Sequence, residues 1–364
     1  MNKPRTPHWT WSVLLALALT AGFCDAAHAF GFRDVEIQAE KLSGKPYQPV
    51  TQDVPTALGA LDHAQYKSLR VRDDHRVWQG TPLPWEIAPL PPGGPYQQPV
   101  TINLVDAQGV HPLPFDPSSV DFGQLKLDPK KLKGLAWSGF DVLYPLNGKK
   151  SRSAALRFQA ASFFSALGKG QVRGTFARGL SIDTGLLSGE AFPSFTTFWI
   201  KRPAPGQKDL VIDALLNSKN ATGAFRFILR PGDTTTVDVE ARIFLRDYVT
   251  KLGLAALTSM FDFGSNQPGP ADDYRPQVHN ADGLQIHSGT GEWIWRPLVN
   301  PKAPADYLLR HEQSAGLRTD AARARLRPVR GPAQALRPAA ERLGHAQGRL
   351  GLGTRRAGGD SHAG

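Results

Sequence analysis

The chain has almost no sulfur: one cysteine, Cys24, and two methionines in 364 residues. A single thiol forms no intrachain disulfide and no cysteine metal site. No His-x-x-x-His or Glu-x-x-His pair offers a compact set of ligands, so neither a metal nor any other cofactor is expected. A Gly-x-Ser-x-Gly elbow is also missing, and the glycine turns GDTTT and GTGE lack the lysine of a phosphate cradle. Long apolar runs are scarce. The run from Trp11 to Phe23 falls short of the roughly 20 residues that cross a bilayer, so stable membrane insertion is not expected.

That run has instead the length of a secretory signal. Lys3 and Arg5 precede it, and Ala27-His28-Ala29 follows with small residues at the −3 and −1 positions of a cleavage site. Residues 1–29 are therefore expected to be a signal peptide cleaved after Ala29, which places the protein in the periplasm. No arginine pair precedes the run, which points to the general secretory route.

The opposite end lacks something else. From His311 onward there is no aromatic, no isoleucine and no lysine, while all aromatic residues lie at or before Tyr307. Ten arginines against Glu312, Asp320, Glu341 and Asp360 leave +6 of the chain's formal +11 in this stretch. With leucine as nearly its only large apolar residue, burial cannot offset the entropy of ordering, so 308–364 is expected to be disordered. Arg, Ala, Gly and Pro are also the residues that a GC-rich gene yields out of frame. The expectation is a non-native tail after about residue 303. Without interleaved aromatics, and in an exported chain, its charge does not point to nucleic acid.

What is abundant is turn chemistry: 36 glycines and 30 prolines punctuate short alternating runs. Asp34 to Leu42 reads as a short helix with Asp34 as a candidate N-cap. VTINLVDAQGVHPLPF reads as two strands around a turn. Ala155 to Phe164 and Val172 to Ile182 each read as one strand. In GAFRFILRPGDTTTVDVEARIFLR, Phe225, Phe227 and Leu229 alternate on one arm and Val237, Val239, Ala241, Ile243 and Leu245 on the other. Such alternation is what an antiparallel sheet packed on one face requires. The fold class is all-β.

The chemistry that remains is carboxylates and tryptophans, densest in HNADGLQIHSGTGEWIWRPL from His279. Asp282 sits beside Gly283, either as a simple turn aspartate or as a base or sugar acceptor at a loop rim. Asp183 closes a strand and has the same two readings. Glu292, Ile294 and Arg296 share one face of a strand and Trp293 and Trp295 the other, as core or as a platform for sugar rings. His279 and His287 read as loop hydrogen-bonders.

These residues lie within longer motifs: LYPLNG at Leu143, ARGLSIDTGLLSGEAFPSFTTFWIKRP from Ala177, ATGAFRFILRPGDTTTVDVEARIFLR from Ala221, KLGLAALTSMFDFGSNQP from Lys251 and YRPQVHNADGLQIHSGTGEWIWRPLVNP from Tyr274. Together they resemble the glucans biosynthesis protein G and D family of the osmoregulated periplasmic glucan pathway, from about Phe30 to about Lys302. The secretory signal is similar to that of the G branch. The resemblance implies a large galactose-mutarotase-like β-sandwich over 30–307, followed in the family by an immunoglobulin-like domain that is missing here.

It also implies a β-1,2-linked glucan as partner, the membrane glucan synthase as a second, and similarity to inverting endo-β-1,2-glucanases. Inversion needs a general acid and a general base on opposite sides of the sugar. Where the family reads His-Asp-Ser followed by Asp or Asn, this chain has His279-Asn280-Ala281-Asp282, which leaves Asp282 as the candidate base. Asp183, Arg275, His279, Glu292, Trp293 and Trp295 are the substrate-binding candidates. No residue of the tail matches the family's downstream acid motif. An enzyme and a non-enzymatic glucan-binding scaffold both stay open.

Overall fold

The alternation over 221–245 builds a hairpin with ten residues in each arm. In the computed structural model Ala221–Arg230 and Thr236–Leu245 pair antiparallel, with Phe225 opposite Ala241, Phe227 opposite Val239 and Leu229 opposite Val237. The structure describes residues 30–302 except 126, 288 and 289, together with 319–320 and 346–351. The expected signal peptide and most of the expected tail lie outside these residues. Gly31 opens the compact body.

Two sheets make a β-sandwich. The eight-stranded sheet runs in the order Thr319–Asp320, Ala346–Gly351, Thr236–Leu245, Ala221–Arg230, Leu210–Asn217, Ser194–Lys201, Thr101–Asp106, Gly109–Pro112. The six-stranded sheet runs Leu257–Thr258, Phe176–Arg178, Phe163–Ala166, Ser153–Gln159, Gly139–Tyr144, Glu86–Leu90. Between them lies an aromatic core. Phe140 meets Phe198 edge-on at 4.9 Å, and Phe158 meets Phe227 at 4.8 Å. These rings are at most 2% exposed. Each such contact adds about 0.5–1.5 kcal/mol beyond the area it buries.

Three expectations shift. Asp34 is not the N-cap of the helix Phe32–Ser43. Gly31 takes that place in extended conformation, and Asp34 reaches back to accept from the Gly31 N–H at 2.7 Å. A carboxylate in the first turn also suits the positive end of the helix dipole. Second, 155–164 is not one strand: Ser153–Gln159 and Phe163–Ala166 form a hairpin that turns through Ala160 and Ala161, at φ 63° and 43°. Alanine in the left-handed region is uncommon, so no Gly, Asn or Asp announced the turn. Third, 172–182 splits into Phe176–Arg178 and Ser181–Ile182 at Gly179. A Cβ there would lie 2.5 Å from the Phe195 ring, so the chain passes the core only as glycine.

The two outer faces differ. The helix Phe32–Ser43 lies on the eight-stranded sheet, burying Val35 and Ala39, and Thr222 Oγ1 donates to the Ala39 carbonyl at 2.7 Å. The outer face of the six-stranded sheet carries the polar residues described next. Among the described residues no helix is long and apolar enough to cross a membrane.

Candidate functional site

Inward Phe140, Phe158 and Phe164 force their neighbours outward, because successive strand residues alternate faces. Asp141, Arg157 and Ser165 thus form one lateral row, Asp141 opposite Arg157 and Arg157 opposite Ser165. Arg157 donates from Nε and Nη2 to the two Asp141 oxygens, each at 2.6 Å. That pairing holds the Arg157 guanidinium above its ordinary range. Arg173 enters from the following loop and donates to the Ser165 carbonyl at 2.8 Å, the Ala154 carbonyl at 2.7 Å and the Ser165 hydroxyl. Burial pushes its pKa down to about 10, against the opposing pull of Asp141, so it remains a cation at neutral pH.

Further polar residues flank the row along the strands. On one side Glu86 takes Arg152 at 2.5 Å on one oxygen and Arg76 at 3.4 Å on the other. On the other, Gln159 donates to the Tyr66 hydroxyl at 2.7 Å, which itself donates to the Pro91 carbonyl at 2.8 Å. Burial raises the Tyr66 phenol to about 12. Gln159 also lines a cavity of about 70 Å³ with Gln98, Ser138 and Phe163.

The 273–297 segment meets this face at its rim. Gly174, one residue past Arg173, lies so close to Asn280 that a Cβ would stand 3.1 Å from the Asn280 carbonyl oxygen. His279 stacks on Phe261 at 5.4 Å, and its Nε2 lies 3.1 Å from Gln277 Oε1 and 3.3 Å from Asp282 Oδ1. Two oxygens beside Nε2 suit a donor N–H at that nitrogen. Nδ1 is buried with no hydrogen-bond partner among the described residues. The Asp282 side chain is 71% exposed. Among the described ion pairs its partner is His279, and no guanidinium engages it.

The other expected residues fall in three places. Arg275 is tied to Asp273 by a bidentate pair, closest at 2.5 Å, which holds the Asp273 carboxyl at about 2. Trp293 and Trp295 lie on a strand, Trp293–Pro297, that pairs with Gly283–His287. They are 62% and 52% exposed, so the core reading gives way. Trp293 stacks face to face on His287 at 4.3 Å, and Glu292 stands exposed at the head of the same strand. Asp183 is engaged elsewhere: in left-handed conformation, φ 57°, it accepts the Lys251 N–H at 2.8 Å through Oδ1. It clamps a loop and keeps its second oxygen.

Sequence reasoning missed the Asp141–Arg157–Arg173 row. A signal existed, since GFDVLY and SAALRFQ each place a lone charge, of opposite sign, inside an apolar strand.

These features define a β-sandwich protein with guanidinium, carboxylate, hydroxyl and amide groups on one sheet and exposed tryptophans on a separate hairpin. Residues 30–317 match the family model described as "Periplasmic glucan biosynthesis protein, MdoG", and the chain belongs to this family. It is 51% identical over 289 residues to a glucans biosynthesis protein G of Ralstonia nicotianae, covering 79% of this chain and 56% of that protein. It is 46% identical over 292 residues to the protein of that name in Pseudomonas aeruginosa, covering 80% and 56%, and 44% identical over 301 residues to that of Serratia proteamaculans, covering 83% and 57%. The chain thus spans a little over half the length of these relatives.

Proposed function

We propose that the chain acts in periplasmic glucan biosynthesis by binding a β-1,2-linked glucan along the polar face of the six-stranded sheet and its 273–297 rim. The observation that carries this reading is the continuity of the row through Arg173 and Gly174 to Asn280. Fixed guanidinium and amide donors suit sugar hydroxyls, and Trp295 and Trp293 offer apolar faces to the rings. Export to the periplasm by cleavage after Ala29 fits the family description and the start of the compact body at Gly31.

Processing of the glucan by an inverting cut is assigned to Asp282 as the base that takes the proton of the attacking water, with the leaving oxygen protonated by solvent at this exposed rim beside His279. A second reading, a scaffold that guides the nascent glucan without cutting it, is favoured by one observation. Asp141 and Glu86 spend both oxygens on guanidiniums, so neither is placed to hand a proton to a leaving group. The assay is release of reducing ends from linear β-1,2-glucan, beside direct binding of the same polymer. Release that Asp282→Asn lowers by about 10²–10⁴-fold, with binding retained, supports the enzyme. Binding without release supports the scaffold, and absence of binding overturns both.

A further inference from the structure

We propose that the protein carries a second saccharide site, in a groove on the opposite side of the sandwich from the six-stranded face. The inference rests on the reading that the chain binds glucan, and it adds a place where that polymer is held. The groove encloses about 820 Å³ between the extended segment after the first helix and the outer face of the eight-stranded sheet. That volume falls within the roughly 300–1,000 Å³ typical of ligand sites.

The groove is an arch fixed at both ends. At its start, Arg246 donates from Nη2 to the Leu42 carbonyl at 2.7 Å and lies 5.8 Å from the centre of the Tyr47 ring. At its far end, the Gln52 side chain donates to the Gln97 carbonyl at 3.0 Å and accepts the Ala136 N–H at 2.7 Å. Between these anchors residues 48–51 span the sheet, and the space beneath them stays open. A site built this way needs little ordering when a ligand enters.

Its lining selects a neutral, hydroxyl-dense ligand. Thr101 and Thr197 are register partners on neighbouring parallel strands, and neither side chain makes a hydrogen bond within the described residues. Thr196 and Gln48 stand beside them, and Asn217 gives its carbonyl oxygen to Arg246 at 2.7 Å, which leaves its NH₂ to donate. Hydroxyls and amides both donate and accept, as vicinal sugar hydroxyls do. Among the described residues that line the groove there is no carboxylate and no aromatic ring, and Lys45 is the one cation, with Arg246 and Tyr47 engaged with each other at its start. A polyanion would need several free cations. Proline rings supply the apolar surface.

The test is a titration of the full chain with a short linear β-1,2-gluco-oligosaccharide, read by backbone amide shifts. Two groups of amides should move in the wild type, one over 273–297 and one at Gln48, Thr101, Thr196 and Thr197. In Thr101→Val/Thr197→Val the second group should fall silent while the first keeps its shifts. Lys45→Ala/Gln48→Ala alters only the exposed strap and should weaken the second group's response several-fold, so a folding defect in the strand variant does not decide the matter. Silence of the groove amides while 273–297 responds overturns the second site and leaves the first reading standing. An unchanged groove response in both double variants also overturns it. Silence of both groups overturns the glucan reading together with this one.

Discussion

Arg157 closes two hydrogen bonds of 2.6 Å on Asp141, its register partner on the neighbouring strand. The Asp141 side chain is 10% exposed and that of Arg157 33%, so the carboxylate sits in the sheet while the guanidinium's edge faces water. The pair therefore does two things. It satisfies a charge that the strand GFDVLY cannot solvate, and it presents a fixed donor on the face assigned to the glucan.

Arg157→Ala should consequently cost both stability and binding. Removing one partner leaves a buried charge unpaired, which typically costs about 3–5 kcal/mol, and the exposed edge of Arg157 places the expectation near the lower limit. Asp141→Asn/Arg157→Gln, which removes both charges but keeps polar groups, should recover much of the stability and not the binding. Denaturant melts and a glucan titration separate the two effects. Equal stability of Arg157→Ala and wild type would mean that water already screens the pair.

Trp295→Ala should leave the melting transition nearly unchanged and weaken glucan binding by about tenfold or more, on the ~1–3 kcal/mol scale of a lost stacking contact. The side chain is 52% exposed, so little core is lost. Trp293 is the sharper control, since its ring is stacked on His287 and His287→Ala should disturb it without touching Trp295. If Trp295→Ala binds as wild type does, the hairpin is not a platform.

The sequence revealed elements whose chemistry is local. The 221–245 hairpin was legible because alternate Phe, Leu and Val residues must face one way, and the 101–112 hairpin because its two runs flank a Gly-bearing turn. The Ala160-Ala161 turn was not, because its left-handed geometry is imposed by the paired strands and not by the residues. The helix start was misplaced by three residues because an acidic residue serves equally as cap or as first-turn carboxylate. At the site, Asp282 beside His279 was in view, whereas Arg157 and Asp141 lie 16 residues apart and meet only through strand pairing. Arg173 was beyond reach altogether, since a loop brings it back over Ser165.

Asp183 offers a test of what a turn aspartate is for. Its carboxylate accepts from Lys251 while its own backbone sits at φ 57°. Asp183→Ala loses the bond and keeps the strained backbone, an expected cost of about 1–3 kcal/mol. Asp183→Asn keeps an acceptor and tolerates the left-handed region, and should cost well under half of that. Melting curves of the two variants give the comparison. A large loss of glucan binding in a stable Asp183→Asn would show that the second oxygen works in the cleft after all.

Tyr66 ties the polar face to the alkaline limit of stability. Burial raises its phenol from 10.0 to about 12, in opposition to the Ser138 and Gln159 hydrogen bonds and the Arg157 charge. A raised acid pKa means that the fold favours the neutral phenol. Its contribution is full below pH 10, where both states are protonated, and is lost as pH rises toward about 12, because the unfolded chain ionises first. The loss across that window should be about 2–3 kcal/mol. In Tyr66→Phe this slope should vanish. That variant should also be less stable near neutrality by about 1–2 kcal/mol, because the Pro91 carbonyl and the Gln159 amide each lose a partner. Stability measured by denaturant from pH 8 to 12 in both proteins gives the two curves. They should converge and then cross as the pH approaches 12, and parallel curves would mean that Tyr66 ionises freely and that the row it borders is open to water.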